Sequence, residues 1–168
     1  QKAVATGLPM VMDADALNII AEGRVVSQPD GSGWIMTPHP AEAARLLNIS
    51  VDQVQADRFA AVRQLQEKYN AVVLLKGAGT LIAAPGDEVV SVCPYGNPGM
   101  ATGGMGDVLS GIIGALLAQG LKPKLSAQLG CCLHSAAADM AVEEQGIRGL
   151  TATDLLAYLR KLLNGELS

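Results

Sequence analysis

The chain has 168 residues, 49% of them hydrophobic but only 3% aromatic, and carries a formal net charge of −4. A chain of this length fits one domain that buries roughly 70% of its unfolded surface, and its core must be built from Leu, Val, Ile, Ala and Met. The acidic balance, the lack of a basic run and the scarcity of rings for base stacking argue against nucleic-acid binding, and no apolar run approaches the roughly 18 residues of a membrane span.

Residues 1–6 (QKAVAT) read like the tail of a helix whose beginning is absent, so the chain is expected to be a fragment of a longer one. Residues 9–12 are a short apolar run, a buried strand that delivers Asp13 and Asp15 at its C-terminal end. A short helix over residues 14–21 closes at Gly23, a turn follows at residues 28–33 (QPDGSG), and residues 34–36 form a strand. In TPHPAEAARLL, residues 37–47, a strand end and loop lead into a helix with Pro40 near its first position. Ser50 caps a helix over residues 51–69, whose Val54, Phe59, Val62 and Leu65 fall at roughly helical spacing.

Residues 71–75 (AVVLL) predict a buried strand followed by Lys76-Gly77. Residues 80–84 and 88–93 flank Pro85-Gly86-Asp87 and predict a hairpin. After a glycine-rich stretch, a helix over residues 107–119 carries Val108, Leu109, Ile112, Ile113, Leu116 and Leu117 on one face. A second helix, residues 123–145, is rich in small residues. A third, capped by Thr153 or Asp154, turns Leu155, Leu156, Leu159, Leu162 and Leu163 inward and closes at Asn164-Gly165. This order predicts an α/β fold with a largely parallel sheet.

Three cysteines, Cys93, Cys131 and Cys132, lack CxxC spacing and an even count. A disulfide framework or zinc site is therefore not expected; a reducing cytoplasm is the simplest home, and Cys131 and Cys132 read as buried small hydrophobes. His134, among alanines, reads as packing.

Ligands of open α/β sheets bind outside the C-terminal ends of the strands, and Asp13, Asp15, His39, Lys76 and the glycine stretch all fall there. GMGDVL, residues 104–109, lacks the third glycine of GxGxxG, and nothing matches GxxxxGK[ST]. Glycine N–H groups and a helix N-terminus nevertheless favour an anion. The same field favours the carboxylate of Asp107, as a helix cap or as a base beside bound phosphate. Lys76 is a point charge for phosphate or a solvated strand-end lysine. His39, rigid between two prolines, positions a ligand or is structural. Glu42 complements the helix dipole or meets magnesium directly or through water. Asp13, Asp15 and Asn18 face a ligand or serve as cap and turn residues.

Four segments, MDADALN (residues 12–18), TPHPAEAARLL, LLKGAGTLIA (residues 74–83) and GNPGMATGGMGDVLSGIIGALLAQG (residues 96–120), resemble, in order, the C-terminal catalytic half of the ADP/ATP-dependent NAD(P)H-hydrate dehydratases. The resemblance implies a ribokinase-like three-layer α/β/α fold, with residues 1–168 as the C-terminal portion of a single domain whose N-terminal part is missing. It implies nucleotide binding by Lys76, Gly77, Ala78, Gly79, Thr80 and Gly106, substrate contacts by His39 and Asn18, and Asp107 at the reaction centre as catalytic base and substrate contact. It further implies ADP or ATP as co-substrate, Mg²⁺ with Glu42 as its candidate ligand, a homo-oligomer, and an upstream epimerase domain in the full-length protein. Ala41 stands where the family usually has glycine, and Met105 where a smaller residue is common. A vitamin-precursor kinase of the same superfamily and a silent nucleotide-binding fragment are the competing expectations.

Overall fold

A computed structural model of the chain describes residues 2–24 and 33–165; Gln1 and all but Gly33 of the turn expected at residues 28–33 lie outside the described residues. Five short strands follow one another across a single sheet: β1 (Met10–Met12), β2 (Trp34–Met36), β3 (Val72–Leu75), β4 (Thr80–Ala83) and β5 (Ser91–Cys93). β1, β2 and β3 are parallel, with Val11 opposite Ile35 and Ile35 opposite Val72. Parallel neighbours need crossover connections; α1 (Asp15–Ala21) lies on the first, and α2 (Pro40–Leu47), α3 (Val51–Ala56) and α4 (Arg58–Tyr69) on the second. β4 and β5 form the antiparallel hairpin expected around Pro85-Gly86-Asp87. The Arg63 guanidinium donates to the carbonyls of Asp87 and Glu88, and β5 begins only at Ser91.

Alternation along the strands splits the core into two faces. Val73 and Leu75 join Met12, Met36, Leu17, Leu46, Val62 and Leu65 under α1 to α4. Val72 and Leu74 join Ile35, Leu109, Ile113 and Ala127 under α5 (Met105–Ala118) and α6 (Pro123–Gln145). The result is three layers, α/β/α. All four β3 residues are buried, and each such aliphatic side chain contributes about 1.5–3 kcal/mol. That is why an unbroken apolar run became the middle strand. A third cluster joins α7 (Leu155–Leu163) to α6 through Leu155, Tyr158, Ala137, Ala138 and Ala141.

Small residues let α5 and α6 approach closely. A Cβ on Gly130 would stand 2.7 Å from Ile113 Cγ1 and 3.5 Å from its Cα. Gly130→Ala is therefore expected to destabilise the protein by about 1–3 kcal/mol despite alanine's better helix propensity. Urea unfolding reads this directly, and an unchanged midpoint would mean the helices part without cost.

Several helix expectations change. The single helix over residues 51–69 is broken at Asp57, whose φ of −147° is not helical and whose carboxylate caps α4 by accepting from Ala60 N. The buried stripe of α4 is then Ala61, Val62, Leu65 and Tyr69, and Phe59 falls beside it, 53% exposed. In α7 the inward positions are Leu155, Tyr158, Leu159 and Leu162; Leu156 and Leu163 point to solvent because they lie one step round the helix.

His134 is buried on α6 beside the Met105 backbone, and its Nε2 has no partner among the described residues. Burial pushes its pKa down to about 4, only partly offset by the hydrogen bond to Met105. An unfolded histidine titrates near 6.5, so the unfolded chain binds the extra proton first. This contribution to stability is whole above about pH 6.5 and is lost as pH falls toward about 4. His134→Leu should flatten the dependence of melting temperature on pH across that window; parallel curves for parent and variant would exclude His134 as its source.

Candidate active site

The C-terminal ends of β1, β2 and β3 emerge side by side. Thr37 N and Oγ1 both donate to Met12 O, at 3.0 and 3.3 Å, and Lys76 N donates to Pro38 O at 2.9 Å. These bonds carry the parallel pairing past the strand ends and fix Asp13, the TPHP segment and Lys76 relative to one another. After β1 the chain turns at Ala14 with φ +48° and ψ −115°, a conformation that costs an L residue about 1–3 kcal/mol and is characteristic of functional sites.

Asp13 is the hub. Its Oδ1 accepts from Lys76 Nζ at 2.8 Å and its Oδ2 from Ser110 Oγ on α5 at 2.9 Å. Burial opposes ionisation of Asp13, but Lys76 and Ser110 outweigh it and hold the carboxyl below its ordinary range. Glu42 Oε2 lies 3.9 Å from the same ammonium. Gly106, in the first turn of α5, leaves room for this pair: a Cβ there would stand 3.3 Å from Asp13 Oδ2 and 3.5 Å from Lys76 Nζ.

His39 and Glu42 form a capping box at the start of α2. His39 Nδ1 accepts from Ala41 N and Glu42 N, Glu42 Oε2 accepts from His39 N at 2.8 Å, and Glu42 Oε1 lies 3.5 Å from His39 Nε2. The segment between the prolines is thus held by both side chains. His39 remains half exposed while Glu42 is buried.

Two groups of backbone donors border this cluster. In KGAGT the Gly77 carbonyl is taken by Thr80 Oγ1 at 3.1 Å and the Ala78 carbonyl by Arg58 Nη1 at 2.7 Å. The N–H groups of Gly77, Ala78 and Gly79 have no partner among the described residues. The second group is the start of α5, where Gly104 at φ +86° is the cap and offers no side chain, leaving first-turn donors open. Upstream, Asp139 of α6 fastens the glycine stretch by accepting from Gly96 N and Asn97 Nδ2, each at 2.8 Å, and Asn97 Oδ1 accepts from Gly99 N.

Because α5 begins at Met105, two residues before the expected start, Asp107 is its third residue. It caps nothing and lies exposed, without a hydrogen-bond partner among the described residues. Ser110, three residues on, shares its helix face and reaches Asp13. The structure therefore assembles Lys76, Gly106 and Glu42 around Asp13, with His39, the remainder of KGAGT and the Asp107 turn at the border. Asn18 lies apart: its Oδ1 accepts from Arg45 at 3.0 Å, and it lines an open cleft of about 750 Å³ with Asp15, Arg24 and Asn48. Among the described residues no group of three or more His, Cys, Asp or Glu side chains converges as a metal cage. Sequence reasoning left Asp13 as an undecided turn residue and missed Ser110 and Arg58. Only Asp13 gave a signal, an acid at a strand end.

A family model described as NAD(P)H-hydrate dehydratase matches residues 1–161. The chain belongs to the NAD(P)H-hydrate dehydratase family. A bifunctional NAD(P)H-hydrate repair enzyme of Coxiella burnetii is 57% identical over 97% of this chain and 32% of its own length. An ADP-dependent (S)-NAD(P)H-hydrate dehydratase of Neisseria meningitidis is 51% identical over 95% of this chain and 54% of its own. The chain thus spans about a third to a half of these curated relatives. The solved ADP/ATP-dependent NAD(P)H-hydrate dehydratase of Bacillus subtilis, co-crystallised with ATP/Mg²⁺, superposes with a TM-score of 0.82 at 31% identity, over 94% of this chain and 56% of that one. A ribokinase-like superfamily protein of Enterococcus faecalis matches with a TM-score of 0.75 at 29% identity over 92% and 52%. The family's three-layer α/β/α fold is ribokinase-like, as the four sequence segments implied.

Proposed function

We propose that this chain carries the catalytic portion of an ADP- or ATP-dependent dehydratase that returns hydrated NADH or NADPH to the reduced dinucleotide. The observation that carries this reading is the pair of open backbone-donor groups, on KGAGT and at the start of α5, beside an Asp107 carboxylate that has no partner among the described residues. The nucleotide lies along Lys76, Gly77, Ala78, Gly79 and Thr80 with its terminal phosphate toward Gly106. Because Asp13 already pairs with Lys76, the N–H groups supply most of the phosphate contacts. His39 and, from the neighbouring cleft, Asn18 meet the substrate.

Asp107 accepts the proton of the substrate hydroxyl while its oxygen takes the terminal phosphoryl group. The open N–H groups of α5 stabilise the charge that develops on the transferring group. The C–O bond then breaks with phosphate as leaving group, helped by the ring nitrogen lone pair, and loss of a ring proton restores the dihydronicotinamide. With no metal cage among the described residues, Mg²⁺ would come with the phosphates, and Glu42 would be the residue to hold it through water. The ion would neutralise phosphate charge.

The homo-oligomer, the cytoplasmic location and an upstream epimerase domain in the full-length protein belong to the same proposal. The bifunctional relatives support the further upstream activity alone. The test is recovery of NADH absorbance from its hydrate with ADP and with ATP, using full-length protein. Dependence on nucleotide, without a stable phosphorylated product, is the expected result. Accumulation of a phosphorylated product would make the protein a kinase, and ADP binding without turnover would make it a silent module.

A further inference from the structure

We infer that Arg58 is the positioning residue of the KGAGT loop, setting which way its peptide groups face. This rests on the nucleotide-binding reading above. Arg58, the first residue of α4, lies behind the loop and donates from Nη1 to Ala78 O at 2.7 Å and from Nη2 to Leu75 O at 3.4 Å. In a trans peptide the carbonyl and the following N–H point in opposite directions. Drawing the Ala78 carbonyl back onto the guanidinium therefore turns the Gly79 N–H outward, toward the ligand side. Drawing back the Leu75 carbonyl is matched on its other side by Lys76 N, which donates to Pro38 O.

Gly77 completes the device. A Cβ there would stand 2.8 Å from Arg58 Nη2 and 3.2 Å from its Cζ, so the guanidinium face lies directly against the glycine. The fork geometry of arginine, two donors in one rigid plane, lets one side chain hold carbonyls three residues apart. The charge is also uncompensated: no carboxylate pairs with Arg58 among the described residues, whereas Lys76 is neutralised by Asp13. Its Nε is buried without a partner among the described residues, so within them the head is held by the two carbonyls.

The experiment titrates ADP into full-length protein by calorimetry, for the parent, Arg58→Ala, Arg58→Lys, Gly77→Ala and the Arg58→Ala/Gly77→Ala pair, with melting curves in the absence of nucleotide. Arg58→Ala should weaken ADP binding about tenfold, the scale of a lost charged hydrogen bond, and leave kcat at saturating ADP within about twofold. Arg58→Lys should recover part of the affinity, since a lysine reaches one carbonyl. Gly77→Ala should weaken ADP binding more in the parent than in the Arg58→Ala background, where its contact with the guanidinium is gone. Should Arg58→Ala or Gly77→Ala fail to fold, the cycle is lost and Arg58→Lys decides: ADP affinity equal to the parent's would overturn the inference, and a partial loss would support it. Unchanged ADP affinity in Arg58→Ala, or additive effects of the pair, would overturn the inference while leaving the dehydratase reading intact. A parent protein that binds no ADP would remove both.

Discussion

Asp107→Ala is expected to lower kcat by about a thousandfold, the scale of a lost general base, while ADP affinity and melting temperature stay at parental values. The separation follows from where α5 begins. A carboxylate at the cap would support the helix through its own N–H bonds, and its removal would cost about 1 kcal/mol of stability. Gly104 occupies that position instead, and Asp107 stands exposed in the first turn without a partner among the described residues. Its side chain has no structural bond to lose. Asp107→Asn keeps the shape and removes the basicity, so it should match the alanine variant in rate. Equal losses of stability and rate in both variants would return Asp107 to a structural role.

Asp13→Ala has the largest expected effect on stability. It removes the acceptor of both Lys76 and Ser110 and strands an ammonium that is only 23% exposed, with Glu42 at 3.9 Å as its nearest remaining carboxylate. Breaking a mostly buried pair in this way costs about 3 kcal/mol. The two bonds link β1 to β3 and to α5, so turnover should fall as well. The pH dependence has a definite sign. The folded-state pKa of Asp13 is lowered, so its contribution is whole above the ordinary carboxylate value of about 4 and is lost as pH falls through and below it. The stability gap between parent and Asp13→Asn, measured by denaturant unfolding, should be widest near neutrality and close in acid. A gap that persists unchanged to pH 3 would mean that Asp13 does not act through its charge.

What could be foreseen from the residues follows the range of the interactions involved. AVVLL was legible as a buried strand because every side chain in it is apolar, and Pro85-Gly86-Asp87 as a turn because its residues carry their own geometry. The Ser50 cap was legible because its partner, Gln53, lies three residues on. The break at Asp57 was not, since aspartate in a helical run is unremarkable until its φ is known. The start of α5 was misplaced for a related reason: acids are common in first turns, and the glycine before them is silent about its cap. The cluster at the strand ends was least legible of all. Asp13 lies 63 residues from Lys76 and 97 from Ser110, and no periodicity spans such distances. Only the fold brings them together.

The capping box at α2 decides what His39 has left to offer. Its Nδ1 lone pair is spent on two backbone N–H groups, so a neutral imidazole in this place has a single tautomer, with its hydrogen on Nε2. Toward any bound molecule the ring is then a donor alone. Under the proposed function it would select an oxygen, such as a carboxamide carbonyl or a phosphate, in competition with Glu42 Oε1 at 3.5 Å, and would not serve as the base. Chemistry that needs a base on this side of the cleft must find it elsewhere, and the task falls to carboxylates. Under the proposed function, a helix cap made for the stability of eight residues of α2 would thereby divide the labour of the site, leaving recognition to His39 and proton transfer to Asp107.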